Sequence, residues 1–154
     1  IGAALAKKMN GDDRLVYTLH GDGELQEGQI WEAAMFAAGK KVDNLISTVD
    51  WNGRQIDGDV DDVMPLGDLN AKWTAFGWDV LELKEGNNMQ AVLDVLKEAK
   101  TRTGKGKPVF IIMHTLMGYG VDFMQGGHKW HGVAPNDAQL AVALGQLEET
   151  LGDY

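Results

Sequence analysis

Apolar positions along the chain alternate between a helical and an extended period. Ile1, Leu5 and Met9 recur at every fourth residue, which predicts a helix ending at the Asn10-Gly11-Asp12-Asp13 turn. Leu15 to Leu19 reads as a strand, closed by Gly21-Asp22-Gly23. From about Gln26 to Ala38 the spacing is helical, with Ile30, Ala33, Ala34, Ala37 and Ala38 on one face and Gly39 as the stop. Leu45 to Val49 predicts the next strand, turned by Asn52-Gly53, and Asp57 to Asp62 predicts an acidic loop. A helix over Asp68 to Phe76, a strand over Trp78 to Leu83 and an amphipathic helix over Met89 to Lys100 follow. Val109 to Met113 is a nearly continuous apolar strand of the kind buried on both faces. Gly118 to Gly132 predicts a glycine-rich loop, and Asn136 with Gln139 has the form of a capping box opening a helix to Leu151.

Strand and helix thus alternate four times, which specifies an α/β class with a parallel β-sheet flanked by helices. Crossovers should be right-handed, and ligands should bind beyond the carboxyl ends of the strands. The pattern contains no repeat or internal boundary, so residues 1–154 are expected to form a single domain. Its first helix begins inside its own apolar stripe, at Ile1 rather than Met, so that domain is expected to be incomplete at the N-terminus. An open parallel sheet in that condition exposes an edge and an apolar face, which predicts self-association.

Composition narrows the function classes. At 44% apolar and 24% charged residues the chain is ordinary for a globular protein. A net charge of −9 lacks the clustered Lys and Arg that displace counterions from nucleic acid. No apolar run reaches the ~18 residues of a membrane span, and no basic segment followed by an apolar stretch marks a leader. Cysteine is absent, which fits a reducing cytoplasm, and a cytoplasmic location is the expectation.

Three polar loops follow strand ends: Gly21 to Gly23, Asp50 to Arg54, and Gly118 to His131. The topology puts all three on one rim. Asp22 offers a hard carboxylate oxygen and Asn52 a neutral amide oxygen, the donors that Mg²⁺ accepts alongside phosphates, a backbone carbonyl and water. Glycines around Asp22 let a diphosphate approach the backbone, and the following helix aims its N-terminus at the same place. Taken singly, Gly-Asp-Gly and Asn-Gly are ordinary turns. Their occurrence at the ends of consecutive strand–helix units makes a Mg-diphosphate site coherent.

The run Gly21-Asp22-Gly23-Glu24-Leu25-Gln26-Glu27-Gly28-Gln29-Ile30-Trp31-Glu32, then Asp43-Asn44-Leu45 and Asn52 through Gly58, resembles the thiamine-diphosphate motif of transketolases. Trp130-His131-Gly132-Val133-Ala134-Pro135-Asn136 is similar to that family's second signature. The resemblance covers essentially the whole chain. It implies the diphosphate-binding (PP-type) domain of a thiamine-diphosphate fold. By the same resemblance Asp22, Asn52 and the carbonyl of Arg54 hold Mg²⁺, or Ca²⁺ or Mn²⁺ in its place. Gly23, Glu24, Asn52 and His131 then meet the diphosphate of thiamine diphosphate, and His131 is the catalytic residue that helps move protons at the substrate. Imidazole suits such work because it exchanges a proton near neutral pH.

Other candidates divide. Glu27 is implied at a subunit interface near the cofactor, although a carboxylate in the first turn of a helix is also favoured by the helix dipole. His128 could equally touch a sugar phosphate or be a solvated loop residue. His114 and His20 read as structural, and the aspartates at 57, 59, 61 and 62 as a solvated loop. Met117-Gly118-Tyr119-Gly120 is more similar to the long single-chain members than to split-chain ones.

The implied activity is transfer of a two-carbon ketol unit from a ketose phosphate to an aldose phosphate, in the pentose phosphate pathway. The implied partner is a pyrimidine-binding domain or C-terminal transketolase subunit, in a homodimer or heterotetramer, and this chain alone is expected to be inactive. Two other readings remain at this point: an enzyme like deoxyxylulose-phosphate synthase, and a non-catalytic truncated paralogue that binds a partner.

Overall fold

The computed structural model describes residues 1–148. Its centre is a four-stranded sheet in the order β1 (Val16–Gly21), β2 (Leu45–Trp51), β6 (Val109–His114), β5 (Asp79–Leu83), all parallel. The two inner strands are β2 and β6. Leu45 to Val49, with Ser47 and Thr48 among them, and the apolar run Val109 to Ile112 are buried throughout, as strands covered on both faces require. β1 pairs with β2 alone and alternates half-buried with exposed residues.

One sheet face carries α1 (Gly2–Met9), α2 (Gly28–Gly39) and α4 (Leu69–Ala75). There Trp73 stacks on Phe110 with ring centres 3.7 Å apart, and Trp78 meets Trp73 edge-on at 4.8 Å. Trp78 Nε1 donates to the Ala34 carbonyl at 2.9 Å, so its one polar atom is satisfied inside the core. The alanines of α2 let this helix approach closely, with Ala34 and Ala37 fully buried. The other face is packed by α5 (Met89–Arg102) through Val95 and Ala99. Full burial of a larger side chain such as Phe110 stabilises the fold by about 1.5–3 kcal/mol relative to exposure.

The Asp43-Asn44 segment that enters β2 is tied down on both sides. Asp43 pairs with Lys8 and accepts the Gly106 N–H at 2.8 Å, while Asn44 donates to the Ala4 carbonyl at 2.9 Å. This part of the sequence motif therefore serves the fold, fixing where β2 starts.

Several expected boundaries shift. β1 runs to Gly21, so His20 lies within the strand. The predicted helix from Gln26 is interrupted: Gly23–Gln26 forms a 3₁₀ turn, and α2 begins only at Gly28 after Glu27 turns extended. The acidic segment is ordered rather than a loop. β3 (Arg54–Gln55) and β4 (Gly58–Asp59) form a small antiparallel hairpin, followed by the single turn α3 (Val60–Val63). The glycine-rich loop contains two 3₁₀ turns, Asp122–Met124 and His128–His131. The capping box of Asn136 and Gln139 is present and opens α6 (Asp137–Gln146), which stops before extended Leu147. Leu151, the expected helix end, lies outside the described residues. No helix among them is long and apolar enough to cross a membrane.

Candidate functional site

Asp22 follows β1 and caps the 3₁₀ turn. It is almost fully buried at 1% exposure, yet its partners are all backbone. Oδ1 accepts the Gly23 N–H at 2.7 Å and Oδ2 the Gly53 N–H at 2.5 Å. The first bond is local, whereas the second crosses from the end of β1 to the loop after β2 and ties the two loops together. Burial pushes the Asp22 carboxyl above its ordinary range. The N–H groups of Gly53 and Gly23 oppose that shift, and the nearby negative charge of Asp50 adds to it. The N–H groups nearest Asp22 thus belong to loops and the 3₁₀ turn rather than to α2.

Asn52 turns its Oδ1 to the Arg54 N–H at 2.9 Å. Gly53 takes φ +74°, a left-handed conformation that suits glycine in this tight turn. Arg54 opens β3, and its guanidinium is committed to Asp59 of β4. At the hairpin, Gln55 lies over Gly23. A Cβ on Gly23 would stand 2.6 Å from Gln55 Oε1, so the missing side chain keeps this approach open.

The 3₁₀ turn His128–His131 packs against β3, which brings His131 to a loop about 80 residues away in sequence. Asp22, Gly23, Glu24, Asn52, Arg54 and His131 all line one cavity of about 640 Å³ beyond the carboxyl ends of β1 and β2. Every site residue expected from the sequence is among them, and Glu27 joins them as the N-cap of α2. Glu24 is engaged locally: Oε2 accepts the Gly21 N–H at 3.2 Å, and Oε1 lies 3.4 Å from His20 Nδ1. His128 is not among the lining residues. His114 sits at the end of β6, 2.7 Å from Glu82 and stacked on Trp51.

Among the remaining lining residues, Asp50, Gln55, Ile56 and Val63 were not singled out from the sequence. Asp50 stands two positions before Asn52, and a period of two would have flagged it. Gln55 and Ile56 belong to the hairpin. Ile56 is 72% exposed at its tip and, with Val63 of α3, adds an apolar part to the cavity wall. The Asp57-Gly58 pair was the available turn signal.

An open parallel α/β sheet with glycine-bearing polar loops around a cavity at its carboxyl rim is a ligand-binding domain of the nucleotide- and cofactor-handling kind. Residues 3–149 match the family model for the thiamine diphosphate binding domain of transketolase. The chain belongs to the transketolase family. It is 40% identical over 149 residues to the 6-deoxy-6-sulfo-D-fructose transketolase subunit SqwG of Clostridium sp. (strain MSTE9), covering 97% of this chain and 53% of that protein. Against an apulose-4-phosphate transketolase subunit from Phocaeicola vulgatus it is 41% identical over 151 residues, covering 98% and 53%. The chain therefore spans about half the length of these curated relatives. The crystal structure of transketolase from Campylobacter jejuni superposes with a TM-score of 0.82 at 32% identity, over 94% of this chain and 22% of that one. Identity is higher to these two subunits than to the Transketolase 1 of Pasteurella multocida, at 34%.

Proposed function

We propose that this chain is the diphosphate- and metal-binding part of an enzyme that moves a two-carbon ketol unit from a ketose phosphate to an aldose phosphate. The observation that carries the reading is the convergence of Asp22, Asn52, Arg54 and His131, from three loops, on one cavity.

The donors suit a hard divalent cation. Asp22 brings a carboxylate whose oxygens each keep a lone pair beyond the N–H they accept, Asn52 an amide oxygen and Arg54 a backbone carbonyl. Mg²⁺ is the expected ion, with Ca²⁺ or Mn²⁺ able to replace it. The cavity is lined by Asp22, Glu24, Glu27, Asp50 and Asp57, while the Arg54 charge is spent on Asp59. Such a lining repels a bare diphosphate, so anion binding here depends on the cation. Gly23 and Gln55 shape the wall against which the diphosphate lies. Thiamine diphosphate, when bound, supplies the carbanion-stabilising chemistry. His131, on the 3₁₀ turn packed against β3, would hold or deliver a proton at the substrate's oxygen.

A pyrimidine-binding domain or subunit completes the enzyme in this reading, and the relatives named as subunits support it. This chain alone is then inactive, and the working assembly is a homodimer or heterotetramer.

The test is a titration of thiamine diphosphate into the chain, with Mg²⁺ and then with EDTA, followed by the fluorescence of its five tryptophans. Trp51 and Trp130 lie beside the site loops. A saturable change that needs Mg²⁺ and vanishes in Asp22→Ala is expected. A response identical in EDTA, or retained in Asp22→Ala, would overturn the metal-diphosphate assignment.

A further inference from the structure

Asp50 lies in β2 and Asn52 just past its last residue, Trp51, and both line the same cavity. The Asp50 carboxylate lines the cavity and is held from across the sheet. Its Oδ1 accepts the hydroxyl of Thr115, just beyond β6, and the Thr115 N–H donates to the Trp51 carbonyl at 3.1 Å. Its Oδ2 faces Asn52, whose Nδ2 lies 3.4 Å away. The other end of that amide, Oδ1, accepts the Arg54 N–H at 2.9 Å.

A carboxamide has two unlike ends, and only the oxygen can ligate a cation. An ionised carboxylate can only accept hydrogen bonds, so it draws the NH₂ end toward itself and turns the oxygen away. We propose that Asp50, steadied by Thr115, is a positioning residue that fixes the Asn52 amide with its oxygen presented to the cation. The inference rests on the metal-diphosphate reading above. Thr115 is not among the residues lining the cavity and acts only through Asp50. With an asparagine at position 50 the neighbour could donate instead, leaving the Arg54 N–H alone to hold the Asn52 oxygen in place. A charge-only role for Asp50 makes a different statement, because the charge survives removal of the Thr115 hydroxyl.

The deciding experiment measures Mn²⁺ affinity of the full chain in the presence of thiamine diphosphate, from the loss of the free-ion electron paramagnetic resonance signal. Thr115→Val and Asp50→Asn are each expected to weaken Mn²⁺ by about 10-fold or more, the usual effect of removing an outer partner of a metal ligand. Thr115→Ser, which restores the hydroxyl, is expected to recover wild-type affinity. The double variant Thr115→Val/Asp50→Asn should bind no more weakly than Asp50→Asn, since the tether works through the carboxylate. Thermal melts at unchanged midpoint exclude a general loss of structure. Wild-type affinity in Thr115→Val, with binding lost in Asp22→Ala, overturns the positioning role and leaves the metal site standing. Wild-type protein that binds no better than Asp22→Ala overturns both. Should Thr115→Val fail to fold, the near-isosteric Asp50→Asn decides, and wild-type affinity there ends the proposal.

Discussion

At Gly86 the connection from β5 to α5 passes directly over the end of β6. Its N–H donates to the His114 carbonyl at 2.8 Å, and a Cβ would stand 2.5 Å from that same oxygen and 2.8 Å from Thr115 Cγ2. The obstacle is backbone, so it cannot swing aside. Gly86→Ala is expected to cost about 1–3 kcal/mol, the range for forced overpacking. A urea titration should show a lower midpoint at unchanged slope. Because His114 and Thr115 also brace Trp51 and Asp50, the same variant should weaken Mg²⁺-dependent binding of thiamine diphosphate. A wild-type midpoint would show that the loop yields more easily than its packing implies. At this scale the sequence singled out Asp22 and Asn52, both of which line the cavity, as residue types that suit a cation. It did not reveal Asp50, whose role depends on Thr115, a residue 65 positions away brought near only by the pairing of β2 with β6.

Between β5 and β6 the pairing is reinforced by side chains at their carboxyl ends. Glu82 meets Lys84 and also lies 2.7 Å from His114, whose ring covers Trp51. The Lys84 ammonium, and then His114, hold the Glu82 carboxyl below its ordinary value of 4.5. A carboxyl with a lowered folded-state pKa contributes stability that is present above the unfolded value and lost as pH falls through the folded one. Glu82→Gln should therefore lower the melting temperature at pH 7 and have little effect well below that range. The groups are partly exposed, so the difference is modest, roughly 0.2–1 kcal/mol. Equal effects at both pH values would assign the loss to packing instead. The elements themselves divide by length. The long helices and buried strands were legible because their apolar period persists over many residues: α5 extends 14 residues, and β6 is apolar from Val109 to Met113. The β3–β4 hairpin and α3 were not legible, since two-residue strands and a single turn carry no period. Local bonds close them, the Arg54–Asp59 pair and the Val60 N–H on the Gly53 carbonyl at 3.0 Å, and the His128–His131 turn packs on β3 from far along the chain.

Viewed as a whole molecule, the sheet is covered unevenly. α1, α2 and α4 close one face, whereas α5 packs on the other through β5 and β6. On that second face β1 presents Tyr17 at 49% and Leu19 at 67% exposure, and among the described residues the outer edge of β1 has no strand beside it. An unpaired edge next to exposed apolar side chains is a surface for association with other chains. The net charge of −9 opposes this by mutual repulsion over a Debye length of about 8–10 Å at ordinary ionic strength. Two dependences follow from these opposed terms. Light scattering should show mass rising with protein concentration, and rising further with added salt as repulsion is screened. Leu19→Lys places a charge on the exposed face of the edge strand while leaving the buried face of β1 untouched, so it should suppress association without shifting the melting temperature by more than about 1–2 °C. If the wild-type chain stays monomeric at high concentration and high salt, the exposed face of β1 is not an associating surface. If Leu19→Lys associates as strongly as wild type, the contact lies elsewhere, and the exposed Leu140 and Leu144 of α6 are the next residues to change.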